Sequence, residues 1–230
     1  MRICLVLEGS YPYVNGGVST WMHQYITEMP QHEFVLWVIA AKAEDRDKFV
    51  YELPRNVVEV QQVFLDDALR LKGTGVVGHS FTPSEEEALE ALIGSGNPNW
   101  DLLFEMYQVK RINPMSYLKS ESFLRSFEDS LEKNYPFIAY SDAFHSTRSR
   151  LLPVLYLLGT RVPKADCYHA ICTGYGGMLA CLGAYMNNAP LLLTEHGIYS
   201  REREEEIISA KWVGKALNSI GSDFSTCCPG

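Results

Sequence analysis

Five consecutive apolar residues, Ile3 to Leu7, are followed at once by chain breakers and then by a helical pattern. Such a run reads as a strand buried on both faces, the kind found in parallel sheets. Gly9, Ser10 and Pro12 end it and build a loop. From Gly16-Gly17 onward, Val18, Trp21, Met22, Tyr25, Ile26 and Met29 recur at the spacing of an amphipathic helix. A strand therefore feeds a glycine loop that opens a helix. The free N–H groups and partial positive charge of a helix start suit an anion such as phosphate. Gly16 and Gly17 lack side chains that would keep a ligand from the backbone. The same unit also occurs in α/β domains that bind nothing there. Neither G-x-G-x-x-G nor G-x-x-x-x-G-K-[ST] is present, which disfavours a dinucleotide site or a nucleotide phosphate loop of those kinds.

The pattern continues in the α/β sense. Glu33 to Ala41 reads as a second buried strand, and Val57 to Leu65, partly alternating, as a third strand nearer an edge. From Asp66 to Arg161 strand-like runs disappear. Thr82-Pro83-Ser84 before Glu85 is a capped helix start, Gly94 to Pro98 is a breaker cluster, and helical spacing marks Trp100 to Val109 and Tyr117 to Lys133. Phe137 to Leu158 is long and apolar, interrupted by Arg148, Arg150 and Pro153. This middle region is expected to be a helical insertion within one domain. Sheet character returns at Ala165 to Ile171, then Thr173-Gly174-Tyr175-Gly176-Gly177 opens a helix, and Pro190 to Thr194 reads as a further buried strand ending in Glu195-His196-Gly197. A charged helix is expected from near Ser200. The fold class is α/β: a Rossmann-like parallel sheet with helices on both faces and a helical insertion.

With 230 residues and 47% hydrophobic content, the chain can bury a sizeable core. A net charge of −8 and the lack of a basic stripe argue against nucleic acid as a partner. Acidic runs at Glu85-Glu86-Glu87 and Glu204-Glu205-Glu206 fit first turns of helices. The six cysteines (Cys4, Cys167, Cys172, Cys181, Cys227, Cys228) show no C-x-x-C spacing, so a zinc site is not expected, and free buried thiols fit a reducing compartment. The N-terminus does not read as a signal peptide, and no stretch reaches the ~18 apolar residues of a membrane span. The expected location is cytoplasmic.

In a parallel sheet all strand C-termini share one edge, and ligands bind in the crevice outside it. Three groups of residues converge there: Gly16-Gly17; His169 with Gly174, Gly176 and Gly177; and Glu195, His196 and Gly197. His169 can hydrogen-bond a sugar hydroxyl or a phosphate, relay a proton near neutral pH, or sit in the core bonded to backbone. Glu195 and His196 are neighbours, so on an extended strand they point opposite ways and one at most faces the crevice, unless the chain has already turned; either acts on a hydroxyl or caps the next helix. Arg201 and Arg203 beside Glu202 and Glu204 read as a solvated helix face, His23, His32, His79 and His145 have nothing to single them out, and Trp21, Trp37 and Trp212 read as core.

Three runs resemble the N-terminal half of PelF-type glycosyltransferases: EGSYPYVNGGVSTWMHQ from Glu8 to Gln24, YHAICTGYGG from Tyr168 to Gly177, and LTEHGIYSRERE from Leu193 to Glu204. These are family-4 retaining enzymes, and the PelF type serves Pel exopolysaccharide (biofilm) synthesis. The resemblance covers about residues 1–213 and is most specific in Glu195 to Arg203. It implies the N-terminal domain of a GT-B enzyme with its site in the cleft between two Rossmann-like domains. It further implies a UDP-sugar donor, UDP-glucose foremost, a polysaccharide acceptor, no metal, and partners among inner-membrane Pel synthesis components that would hold the protein peripherally at that membrane. Gly16, Gly17 and Val18, with Gly174, Gly176 and Gly177, would lie near donor phosphates or substrate, and His169, Glu195 and His196 would be the catalytic groups. The chain has no room for the C-terminal nucleotide-binding domain of such enzymes, and its tail, residues 214–230, departs from their pattern as a truncated or frameshifted end would. The chain alone is therefore expected to be inactive. The alternatives are a sugar-nucleotide epimerase of the same architecture and a non-catalytic binding module.

Overall fold

The computed structural model describes residues 1–71, 78–94 and 96–197. The expected charged helix near Ser200, Arg201, Arg203, Glu204 to Glu206, Trp212, Cys227, Cys228 and the tail lie outside the described residues. In chain order the elements are β1 (Arg2–Glu8), α1 (Gly17–Thr27), β2 (Glu33–Ala40), a 3-10 turn (Ala43–Asp45), β3 (Val57–Phe64), α2 (Leu65–Leu69), α3 (Pro83–Glu90), α4 (Trp100–Gln108), α5 (Pro114–Leu118), α6 (Glu121–Asn134), α7 (Tyr140–Leu158), β4 (Cys167–Ala170), α8 (Tyr175–Asn187) and β5 (Leu191–Leu193). Residues 1–67 together with 161–197 form one compact unit, and residues 68–160 belong to a second.

The first unit is a five-stranded sheet in the order β3-β2-β1-β4-β5, with every pair parallel. This is the α/β, Rossmann-like arrangement: the chain moves outward from β1 to β3, returns to the centre, and moves outward again to β5. The direction reverses between β1 and β4. β1 and β2 hold the deepest core, with Cys4 to Leu7 and Phe34 to Val38 wholly buried. β3 sits at one edge and is only partly buried until Val63 and Phe64.

Strand alternation assigns the two faces. Ile3, Leu5 and Leu7 cluster with Phe34, Leu36 and Val38 and with Met22 and Ile26, so α1 covers this face. On the other face lie Cys4 and its register partner Tyr168, and there α8 approaches so closely that a Cβ at Gly183 would lie 2.3 Å from the Tyr168 ring. The Tyr168 hydroxyl donates to Pro163 O and accepts from Asn187 Nδ2 at 2.8 Å.

β5 corrects one expectation. The strand forms and pairs with β4, but Leu191, Leu192 and Leu193 are 43%, 49% and 50% exposed rather than buried. As the outermost strand it bonds only to β4 among the described residues, and periodicity cannot distinguish an apolar edge strand from a central one.

The second unit is helical. Thr82 caps α3 reciprocally: its Oγ1 accepts from Glu85 N–H, and Glu85 Oε2 accepts from Thr82 N–H at 2.8 Å. Tyr117 to Lys133 does not form one helix, because Ser120 caps a new start by accepting from Phe123 N–H. Conversely, α7 runs through Pro153, whose neighbours Leu151, Leu152, Val154 and Leu155 are buried. Packing of that apolar run outweighs the hydrogen bond that proline removes. Gln108 Nε2 donates to Leu158 O and Thr160 O, satisfying carbonyls at the end of α7. No helix among the described residues is long and apolar enough to cross a membrane.

Gly183→Ala is expected to destabilise the protein by about 1–3 kcal/mol, because the buried Tyr168 ring must shift to admit a methyl group. Urea unfolding checks this, and a midpoint concentration unchanged from wild type would refute the close approach.

Candidate functional site

The carboxyl edge of the sheet, at the reversal between β1 and β4, gathers the groups of interest. The loop after β1 is held by its aromatic residues. Gly9 takes φ +62°, a backbone that favours glycine, and its N–H donates to Ile39 O. Tyr11 is fully buried, packs against Tyr51 at 5.1 Å, and shares a hydrogen bond with His23 Nδ1 at 3.2 Å. Tyr13 donates to Gln62 Oε1 at 2.6 Å, and Val50 N–H donates to Pro12 O. Beyond these anchors Val14, Asn15, Gly16 and Gly17 are exposed. Nothing lies within 4 Å of where a Cβ would stand on Gly16 or Gly17. α1 starts with no side-chain cap and no acidic residue in its first turn, so its orphan N–H groups and dipole are not neutralised from within that turn.

The N-terminus of α8 is different. Glu8, the last residue of β1, places Oε2 3.1 Å from Gly176 N, which donates to it, and the Cys172 thiol donates to the same oxygen at 3.5 Å. A carboxylate already takes the Gly176 N–H, one of the groups expected to receive a donor phosphate with Gly174 and Gly177. A second anion there would meet like charge. These glycines have a packing reason: a Cβ on Gly176 would lie 2.9 Å from Cys172 Sγ, and one on Gly177 3.2 Å from Cys172 O. The Cys172 thiol is held far above its ordinary value, first by burial and then by the Glu8 charge and hydrogen bond.

His169 pairs in register with Leu5 on one side and Leu192 on the other, so it faces the α1 side of the sheet. It is buried, its Nε2 hydrogen-bonds Thr194 Oγ1 at 2.8 Å, and its ring meets Tyr25 edge-to-face at 5.6 Å. Its Nδ1 is buried with no hydrogen-bond partner among the described residues. Burial, and secondarily the nearby His196, hold its pKa below the ordinary 6.5. At neutral pH it is thus an uncharged imidazole with one nitrogen engaged and the other buried without a partner among the described residues. Leaving such an atom unpaired costs about 1–3 kcal/mol.

Glu195 and His196 do point to different partners. Glu195 Oε1 accepts from Thr173 Oγ1 at 2.8 Å, while the His196 ring packs against Trp21 with centroids 4.6 Å apart. His169, Thr194, His196, Trp21 and Tyr25 thereby form one cluster.

The family described as a domain of unknown function (DUF3492) matches residues 1–227. The chain belongs to the DUF3492 family. No curated protein and no solved structure matches it. The DUF3492 match takes in residues 214–227, which the resemblance left out. Within this DUF3492 chain, His169 and His196 come together, Glu195 lies beside Thr173, and Gly16 and Gly17 open the helix that carries Trp21 and Tyr25. Trp21 is part of the cluster rather than core alone, being only partly buried. Sequence reasoning missed Thr194, Thr173, Tyr25 and the blocking role of Glu8. An acid at the last position of β1 was the available signal for Glu8. Among the described residues no group of three or more His, Cys, Asp or Glu side chains could hold a metal ion.

Two outcomes follow from this electrostatics. His169 binds a proton less readily folded than unfolded, so the unfolded state takes up more protons as pH falls through 6.5 and stability drops. Chemical unfolding of wild type and His169→Gln across this range should show wild type losing more stability on the acid side. A parallel pair of curves would refute the lowered pKa. Separately, Glu8→Gln removes a charge that restrains the Cys172 thiol. Iodoacetamide should then modify Cys172 faster than in wild type at pH 8 or so, read by peptide mass spectrometry in the native protein.

Proposed function

We propose that this chain is the acceptor-side domain of a retaining glycosyltransferase that moves a sugar from a UDP-sugar, UDP-glucose foremost, to a growing exopolysaccharide of the Pel type. The observation that carries the reading is the meeting of His169, Thr194 and His196 with one face of α1 at the carboxyl edge of a parallel sheet, beside an uncapped helix start. The resemblance of the Glu8–Gln24, Tyr168–Gly177 and Leu193–Glu204 runs to PelF-type enzymes points the same way.

In this reading the amides at Gly16, Gly17 and Val18 receive the donor diphosphate, stabilising the leaving group as charge develops on it. His169, uncharged, hydrogen-bonds a sugar hydroxyl through the nitrogen that has no partner. Glu195 and His196 border the acceptor side. Gly176 and Gly177 pack closely over Cys172, and an anion coming to the helix start at Gly174 meets the Glu8 carboxylate on the Gly176 N–H. The nucleotide itself is held by a second domain, no metal is required, and the partners are membrane-bound components of polysaccharide synthesis.

The test is transfer of labelled sugar from UDP-glucose and related donors to polysaccharide, measured with the chain alone and with the longest natural protein that carries it. Transfer is expected only in the second case, and His169→Ala should lower it by roughly 10–10²-fold with the fold kept, the worth of one hydrogen bond. Absence of transfer from every UDP-sugar, or full activity in His169→Ala, would overturn the reading.

A further inference from the structure

We propose that Trp21 and His196 form a subsite for a pyranose ring of the acceptor glycan; this rests on the function proposed above. Trp21 and Tyr25, one turn apart on α1, stack with centroids 5.4 Å apart and planes 28° apart. Next to them on the same helix, Met22 and Ile26 are fully buried, whereas Trp21 keeps part of its surface open. His196 is exposed and stands against the indole at 65° between ring planes, so the two rings make a corner at the rim of the sheet. Glu195, the preceding residue, is exposed with its carboxylate on Thr173.

A pyranose has an apolar C–H face and a rim of hydroxyls. An aromatic wall takes the face, and the His196 imidazole takes a hydroxyl of the rim, the few-polar-groups-on-an-apolar-floor pattern of a small-molecule site. Further along α1, Tyr25 leads to His169, which is 5% exposed and whose Nδ1 lacks a partner among the described residues. The corner is thus shaped for a ring, with His169 behind it on the far side of Tyr25.

The test uses the full chain labelled with 5-fluorotryptophan, with cellotetraose and chitotetraose as probes at up to about 10 mM, the weak range usual for single sugar-ring contacts. Fluorine NMR should show the Trp21 resonance, assigned by Trp21→Phe, shifting in a saturable way with at least one of the two, while Trp37, in the core, stays put. Trp21→Ala should weaken that binding by about tenfold or more. A Trp21 resonance unmoved by both sugars overturns the proposal, as does undiminished binding by Trp21→Ala. Should Trp21→Ala misfold, the wild-type fluorine shift decides by itself. In the longest natural protein, Trp21→Ala should raise the acceptor KM and leave the KM for UDP-sugar alone. If transfer depends on His169 while acceptor KM ignores Trp21, the subsite fails and the glycosyltransferase reading stands. If sugar binds at Trp21 and no UDP-sugar is turned over, the subsite stands as glycan binding and the transferase reading fails.

Discussion

The Tyr168 ring laid over Gly183 is the contact on which the candidate site depends. Side chains of a strand alternate, so a slip of one residue in the β1–β4 pairing would exchange Tyr168 and His169 between faces. Only a residue without a Cβ lets α8 come near enough for the tyrosine to fit, and the tyrosine hydroxyl is pinned at both ends, on Pro163 and Asn187. With Tyr168 fixed toward α8, His169 has to face α1. There it finds Thr194, Tyr25 and the neighbourhood of His196. A packing constraint on one face thus sets the chemistry on the other.

The two helix starts at this edge divide the electrostatic work. At α8 the sheet supplies its own anion, Glu8, which ties β1 to the loop after β4 across the point where the strand order reverses. At α1 the first turn contains no acid and no capping side chain, and two exposed glycines leave the backbone open. An external anion therefore has one start at which it meets bare amides and one at which it meets a carboxylate. This asymmetry, more than the presence of glycines, says where a phosphate would go in the proposed function.

The sheet was legible in the sequence because β1 and β2 are unbroken apolar runs, and such runs satisfy only a strand covered on both faces. The helices of the second unit were legible in number and kind only roughly. A serine cap at Ser120 splits one periodic stretch, and buried leucines carry α7 past a proline, two cases in which local capping and tertiary packing act against each other's usual signal. At the site, His169 and His196 were visible as histidines at strand ends. Thr194, Tyr25 and Trp21 were not visible as their companions, because their proximity is set by which face of a strand meets which turn of a helix. The Glu8 plug was hidden for the same reason: its partners are 164 and 168 residues away.

His169 is an uncharged group in this environment, and that limits what it can do in sugar transfer. Burial and the adjacent imidazole both oppose a second proton, so it cannot serve as a standing cation for a departing diphosphate. It can accept or donate one hydrogen bond to a hydroxyl, with Thr194 fixing the ring through the other nitrogen. Under the proposed function, charge stabilisation must then come from the α1 amides and from a second domain, while this domain orients a neutral sugar.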